Sequence, residues 1–166
     1  SMIDALITIG SNIDPASNYP RALEKISAHP DLELLVQSPI YRSDALGPDG
    51  KPSDQNTYYN GAIWVRTQLP VKDLRRVLRA IEAKLGRIRS NDKFAPRPID
   101  LDIALYGNQV LTEDGITLPD TGILRFAHLA QPLADIAPDW VHPITNQTLH
   151  EIAANLFDHK LEVLQP

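Results

Sequence analysis

A chain of 166 residues, 43% of them hydrophobic, is long enough for one domain with a substantial core. It contains no cysteine, which excludes disulfides, thiolate metal sites and a cysteine nucleophile. Its net charge of −5 argues against broad binding to nucleic acid or to an anionic membrane.

No apolar run approaches the roughly 18 residues of a membrane span, and no basic-then-apolar leader is seen, so a cytoplasmic protein is expected. Ser1 before Met2 has the look of a cloning remnant, and a single domain over 2–166, working as a monomer, is the expectation. The charge is unevenly spread. Residues 72–97 hold nine Lys and Arg against Asp73, Glu82 and Asp92, a local +6 that leaves −11 elsewhere. One basic segment in an acidic protein suits a small polyanion, although Lys72 to Arg79 alone read as a solvated helix face.

Asp4–Asn12 is predicted as a first strand ending in a Gly-Ser-Asn turn too short to cradle phosphate. Asp14-Pro15 opens a helix whose amphipathic part is Arg21–Ala28. Leu32–Tyr41 is a second strand, residues 43–57 a long loop rich in turn formers, and Tyr58–Leu69 a third strand. From Pro70, the positions Val71, Leu74, Val77, Leu78, Ile81 and Leu85 recur at helical spacing, with Gly86 as C-cap. A polar connection, Arg87–Pro98, leads into a fourth strand at Ile99–Tyr106, and helices follow at Leu124–Ile136 and Leu149–Leu156. The order β-α-β-β-α-β predicts a ferredoxin-like α+β sandwich with a C-terminal helical extension. Its sheet is antiparallel with helices on one face, and the other face is open or covered by long loops.

Strand alternation sends Ile99, Leu101, Ile103 and Leu105 one way, and Asp100, Asp102, Ala104 and Tyr106 the other. The two aspartates share a face with Cα atoms roughly 6.5–7 Å apart, where like charges repel. Either a hard divalent cation compensates them, Mg²⁺ being the natural one, or Arg87, Arg89 and Arg97 pair with them in a structural network. Arginines arriving just before the strand are the usual clamps for phosphates that share such a metal. No P-loop, G-x-G-x-x-G or kinase motif is present, so any nucleotide is held by side chains and metal.

The segment "GRIRSNDKFAPRPIDLDIALYG" resembles the signature of the 6-hydroxymethyl-7,8-dihydropterin pyrophosphokinases of the folate pathway. "IGSN", "SPIYRSDALGP", "YYNGAI", "IEAKLGRIR" and "QPLADIAPDW" extend the resemblance through most of the chain. It implies a ferredoxin-like fold that moves pyrophosphate from ATP to the pterin hydroxymethyl group, releasing AMP. Asp100 and Asp102 would hold two Mg²⁺ ions. Arg87, Arg89 and Arg97 would bind phosphates, with Arg87 and Arg97 stabilising charge during transfer. Glu82 and Phe94 fall at nucleotide-side positions, Phe94 in place of a tryptophan. Ser43 and Leu46 would contact the pterin, Tyr58 would stack on it, and Asn60 would read its amide edge.

The chain departs from that pattern near the end. Asp120 stands where the family carries a histidine, removing an ATP-side contact. Arg125 is the remaining arginine that reaches the phosphates, and either Phe126 or His128 replaces a stacking aromatic, His128 when counted back from Pro132. Ala95 replaces a glycine, and Asp44 and Ala45 replace prolines. Two other readings stand beside the enzyme. One is a non-catalytic pterin- or nucleotide-binding paralogue, supported by Asp120. The other is an RNA-binding ferredoxin-like domain, disfavoured by the acidic balance and the lack of an aromatic strand motif.

Overall fold

The middle strand of the sheet, β1 (Ile3–Ser11), buries side chains on both faces, among them Ala5, Leu6, Ile7 and Ile9. This computed structural model describes residues 1–43, 49, 57–92, 95–156 and 161–164. In chain order β1 is followed by α1 (Pro15–Ala28), β2 (Leu32–Gln37), β3 (Tyr41–Ser43), β4 (Tyr58–Thr67), α2 (Val71–Lys84) and β5 (Asp100–Tyr106). A hairpin of β6 (Leu111–Glu113) and β7 (Ile116–Leu118), a 3₁₀ turn (Thr121–Leu124), α3 (Ala127–Ile136), α4 (Leu149–Ala154) and β8 (Glu162–Val163) complete it. The strand order is β5-β1-β4-β3-β8, β2 also pairs with β4, and the named strand pairs are antiparallel. The α+β class is as expected.

Four differences from the sequence-based expectation matter for the site. The predicted strand Leu32–Tyr41 is broken into β2 and β3 at Ser38-Pro39, because proline has no N–H for the ladder. Ser38 repairs the gap: its amide donates to Ala62 O at 2.9 Å and its hydroxyl accepts from the Ala62 amide at 2.8 Å. On β5 the register slips, Ile7 facing Ile103 but Leu6 facing Leu105. Ala104 is the extra residue, and beyond it the faces exchange. Leu105 therefore joins the core opposite to that of Ile99, Leu101 and Ile103, while Tyr106 joins theirs. The helix predicted from Leu124 begins at Ala127, after the 3₁₀ turn.

The fourth difference is coverage. Helices α1 and α2 pack on one face, as predicted, over a core that includes Tyr19, Ala22, Ile26, Leu74, Leu78 and Ile81. Each buried Leu or Ile contributes roughly 1.5–3 kcal/mol, so tertiary burial holds α2 in place more than its charged outer face does. The second face is neither open nor covered by loops alone. Ala130, Leu133, Ala134, Leu149 and Ile152 of α3 and α4 sit on Leu6, Ala62, Ala104 and Leu105. Trp64 and Trp140 close that layer edge to face, 5.4 Å apart.

Strand register maps what remains of this second face. Asp100 lies opposite Gly10, Gly10 opposite Asn60, and Asn60 opposite Tyr41. One step along, Asp102, Thr8 and Ala62 form the next row, and Leu105, Leu6 and Trp64 the last. The apolar row lies under α3 and α4, and the polar row is the end of the face that carries the carboxylates.

Candidate active site

The edge strand β5 presents both aspartates, half-buried, from one face. Asp100 is caged. Arg87 donates to its Oδ1 at 2.6 Å, Arg97 to its Oδ2 at 3.0 Å, and Arg89 approaches to 3.9 Å. Burial alone raises Asp100, but the Arg87 guanidinium, followed by Arg97, outweighs it and holds the carboxyl below its usual range. Among the described residues, the ion pair of Asp102 is with Arg79, at 3.7 Å. Burial first, and the neighbouring Asp100 charge second, push Asp102 up to about 7. Of the two aspartates on one strand face, Asp100 is the more closely compensated by arginines.

Glu82 organises the arginines. It is buried on α2, and its carboxylate accepts from Arg89 at 2.8 Å, from Arg87 at 3.2 Å and from Arg79 at 3.3 Å. It also accepts from the Leu101 amide at 2.8 Å, which ties α2 to β5 between the two aspartates. Arg87 and Arg79 further donate to the carbonyls of Ile99 and Leu101, both at 3.1 Å. Arg79, Arg87 and Arg89 thus share one buried carboxylate, and two strand carbonyls further fix Arg79 and Arg87.

Sequence reasoning missed the other anchor. The predicted Gly10-Ser11-Asn12 turn is instead the end of β1 and the residue after it, and it fastens the loop before β5: the Asn12 side chain accepts the Arg97 amide at 2.7 Å, and the Ser11 hydroxyl donates to Pro98 O at 2.6 Å. The amides of Asn12 and Ile13 both donate to Arg97 O. Polar residues at a strand end followed by Asp14-Pro15 were the available signal, and they read as an ordinary turn.

Two clefts flank the carboxylates. One, of about 280 Å³, is lined by Arg87, Arg89, Ser90, Asp92 and Arg97, and is suited to an anion. The other, of about 200 Å³, lies between α2, β5 and the β6–β7 hairpin. It combines Leu78, Ile103 and Ile116 with Arg75, Arg79, Asp102, Asp120, Thr117 and Thr121. The reading of Lys72 to Arg79 as a solvated face therefore holds for Lys72 and Arg76 but not for Arg75 and Arg79, which line this cleft. Asp120 belongs here for a local reason. Its amide donates to the carbonyl of the bulged Ala104, and its side chain caps the 3₁₀ turn at Gly122. Burial, opposed by the Gly122 amide and helped by Asp100, raises its carboxyl.

Tyr58 and Asn60 lie on β4, across β1 from the aspartates of β5. Burial pushes the Tyr58 phenol up, while Arg97 and Arg87 pull it down, so this ring borders the arginine cage. The Asn60 side chain donates to the Ser43 hydroxyl at 2.6 Å, which leaves its carbonyl oxygen directed elsewhere. Arg125 and His128 meet at Phe126, the guanidinium 5.1 Å and the imidazole 5.4 Å from that ring, in the segment entering α3. The alternatives Phe126 and His128 are thus parts of one aromatic unit. Leu46 and Phe94, with the substitutions at Asp44 and Ala45, lie outside the described residues.

The donor set fits magnesium. Among the described residues, no group of three or more His, Asp or Glu could hold a metal alone. Two carboxylates, one of them undercompensated, suit a hard cation that completes its shell with water and phosphate oxygens. Ionised Asp102 opposes folding, so its contribution to stability is fully present below the ordinary carboxylate range and is lost as pH rises towards 7. A magnesium ion held by Asp102 would have to displace that proton. The melting temperature is therefore expected to rise more on adding magnesium at pH 8 than at pH 6, and equal shifts would show that Asp102 takes no part.

Comparison with known proteins gives the following. A family model described as 7,8-dihydro-6-hydroxymethylpterin-pyrophosphokinase (HPPK) matches residues 6–138. A 2-amino-4-hydroxy-6-hydroxymethyldihydropteridine pyrophosphokinase of Haemophilus influenzae is 34% identical over 99% of this chain and 100% of its own length. One from Pseudomonas aeruginosa is 37% identical over 80% of each chain, and one from Synechocystis 36% identical over 89% of this chain and 73% of its own. In the crystal structure of Plasmodium falciparum HPPK-DHPS with pteroate, a similar fold covers 93% of this chain with a TM-score of 0.73 at 11% identity. This chain spans 42% of that longer one.

Proposed function

Because the chain belongs to the 7,8-dihydro-6-hydroxymethylpterin-pyrophosphokinase family, we infer that the carboxylate pair, the arginine cage and the Tyr58–Asn60 strand form one site for pyrophosphoryl transfer. The protein transfers pyrophosphate from ATP to the hydroxymethyl group of 6-hydroxymethyl-7,8-dihydropterin, in folate biosynthesis, giving the pterin diphosphate and AMP. What carries the assignment of residues is the position of Asp100 and Asp102, between an arginine-lined cleft and a mixed polar and apolar one, with Tyr58 and Asn60 alongside.

In the transfer, the alcohol oxygen forms a bond to the β-phosphorus. The bond from that phosphorus to the oxygen bridging the α- and β-phosphates breaks, its electrons leaving with AMP, and the hydroxyl proton passes to water. Such a step needs positioning and charge neutralisation more than covalent help. Asp100 and Asp102 would hold magnesium, two ions in this reading, which supplies charge neutralisation between the phosphates. Arg87 and Arg97 stabilise charge during transfer, and Arg89, at the rim, binds phosphate. Arg125 contributes from the α3 side. Tyr58 stacks on the pterin, Asn60 and Ser43 bond its edge, and the Phe126–His128 unit supplies a second wall. Glu82 acts through the arginines it holds, so its part on the nucleotide side is positioning.

The described residues include no helix long and apolar enough to cross a membrane. The six-stranded sheet, with cores on both faces, supports one catalytic domain over 2–166, which we read as a cytoplasmic monomer. Kinetics separate the two halves of the site. Tyr58→Ala is expected to raise KM for the pterin about tenfold and leave KM for ATP within twofold, as expected for loss of one stacking wall. Arg89→Ala is expected to do the reverse. Wild-type protein that forms no AMP, or variants that move both constants together, would contradict the assignment.

A further inference from the structure

Gly10 and Gly61 are neighbours across the sheet that are glycine for different reasons. Gly61 follows Asn60 on β4, and a Cβ there would lie 1.8 Å from the buried Tyr19 hydroxyl oxygen, under the α1 face. Packing requires that glycine. Gly10 has no such requirement among the described residues. It pairs on both sides within the ladder, its φ is not in the left-handed region, and a Cβ would make only ordinary contacts. Those contacts are Asn60 Oδ1 at 3.7 Å, Tyr58 Cδ1 at 3.8 Å and Asp100 Cβ at 3.9 Å. A glycine inside a strand weakens it, and close approach of another molecule is one physical reason to keep one where the described neighbours do not demand it.

The three neighbours say which molecule. Asp100 belongs to the phosphate side, and Tyr58 and Asn60 to the ring side. Their strands stand on opposite sides of β1, so Asp100 and Asn60 are on the order of 10 Å apart, two strand spacings, with Gly10 midway. We propose that Gly10 is a specificity-determining position, at which the acceptor's short hydroxymethyl arm crosses to the phosphate chain over the missing side chain. This rests on the reading of the site given above. The reacting oxygen must come within about 3–3.5 Å of phosphorus, and a displacement of about 1 Å at that point costs on the order of a hundredfold. A methyl group at Gly10 fills the crossing without disturbing the strand.

The test pairs the two glycines. Gly10→Ala is expected to melt at or above the wild-type temperature, to keep KM for ATP within threefold, and to lose 10- to 100-fold in kcat. Gly61→Ala is expected to melt lower while the folded fraction keeps its kcat. A Gly10→Ala protein with wild-type kcat, or one whose loss of activity tracks a lowered melting temperature, overturns the proposal. Wild-type protein without AMP formation overturns the underlying reading as well, and the two failures are thereby distinguished.

Discussion

Asp102→Asn is expected to give a protein that is more stable than wild type without divalent cation at pH 8, yet slower by about 10³-fold. The two effects have one cause. In the metal-free protein the ionised Asp102 sits beside Asp100, whose charge the arginines serve, while its own partner is Arg79 at 3.7 Å. A carboxyl pushed up to about 7 is one whose ionised form the fold disfavours. The amide removes that cost above pH 7 and changes little at pH 5, where the wild-type group is already protonated. The same substitution removes a metal ligand. Charge stabilisation of several kcal/mol at the transferring phosphoryl group corresponds to about 10³ in rate at 1.4 kcal/mol per tenfold. Thermal melts at both pH values, with AMP formation alongside, check both halves. A variant less stable than wild type at pH 8 would mean that Asp102 is part of a structural network.

Glu82→Ala is expected to have the largest effect on stability. Removing one partner of a buried ion pair costs about 3–5 kcal/mol, because the remaining charges stay behind without compensation. Here the loss strips Arg87, itself 9% exposed, of one of its two carboxylates, and leaves the Leu101 amide without its acceptor. Arg89 is 45% exposed and contributes little to that figure. At roughly 2–4 °C per kcal/mol for a chain of this size, the melting temperature falls by about 6–20 °C. Turnover measured well below the transition is also expected to fall, because the arginines lose their common anchor. Glu82→Gln, which keeps the acceptor for Leu101, should fall between the two. Denaturant unfolding of both variants measures this, and a loss under 1 kcal/mol for Glu82→Ala would remove the carboxylate from its central place.

Much of this was legible in the residues. The α2 stripe is a strong periodic signal, and Val71, Leu74, Leu78, Ile81 and Leu85 are all buried, with Gly86 at φ 92° after them. Alternation along β5 correctly put Asp100 and Asp102 on one face, because the bulge comes after them at Ala104. It misplaced Leu105 and Tyr106 for the same reason, since no local propensity marks an alanine as the extra residue of a bulge. The break at Ser38-Pro39 was marked by its proline, but an apolar run on either side masked it. Coverage of the second face by α3 and α4 depends on long-range packing that periodicity cannot orient. Glu82 drew notice through resemblance, whereas its physical role emerges only when Arg79, Arg87 and Arg89 are brought around it. Gly10 looked like the start of a turn until the register set it between Asp100 and Asn60.

The most direct measurement is of the products formed by wild-type protein from ATP and 6-hydroxymethyl-7,8-dihydropterin, with and without magnesium. Equal amounts of AMP and pterin diphosphate, formed only with the metal and not by Asp100→Ala with Asp102→Ala, are the predicted result. Formation of ADP, turnover that persists without a divalent cation, or full activity in the double variant would contradict it.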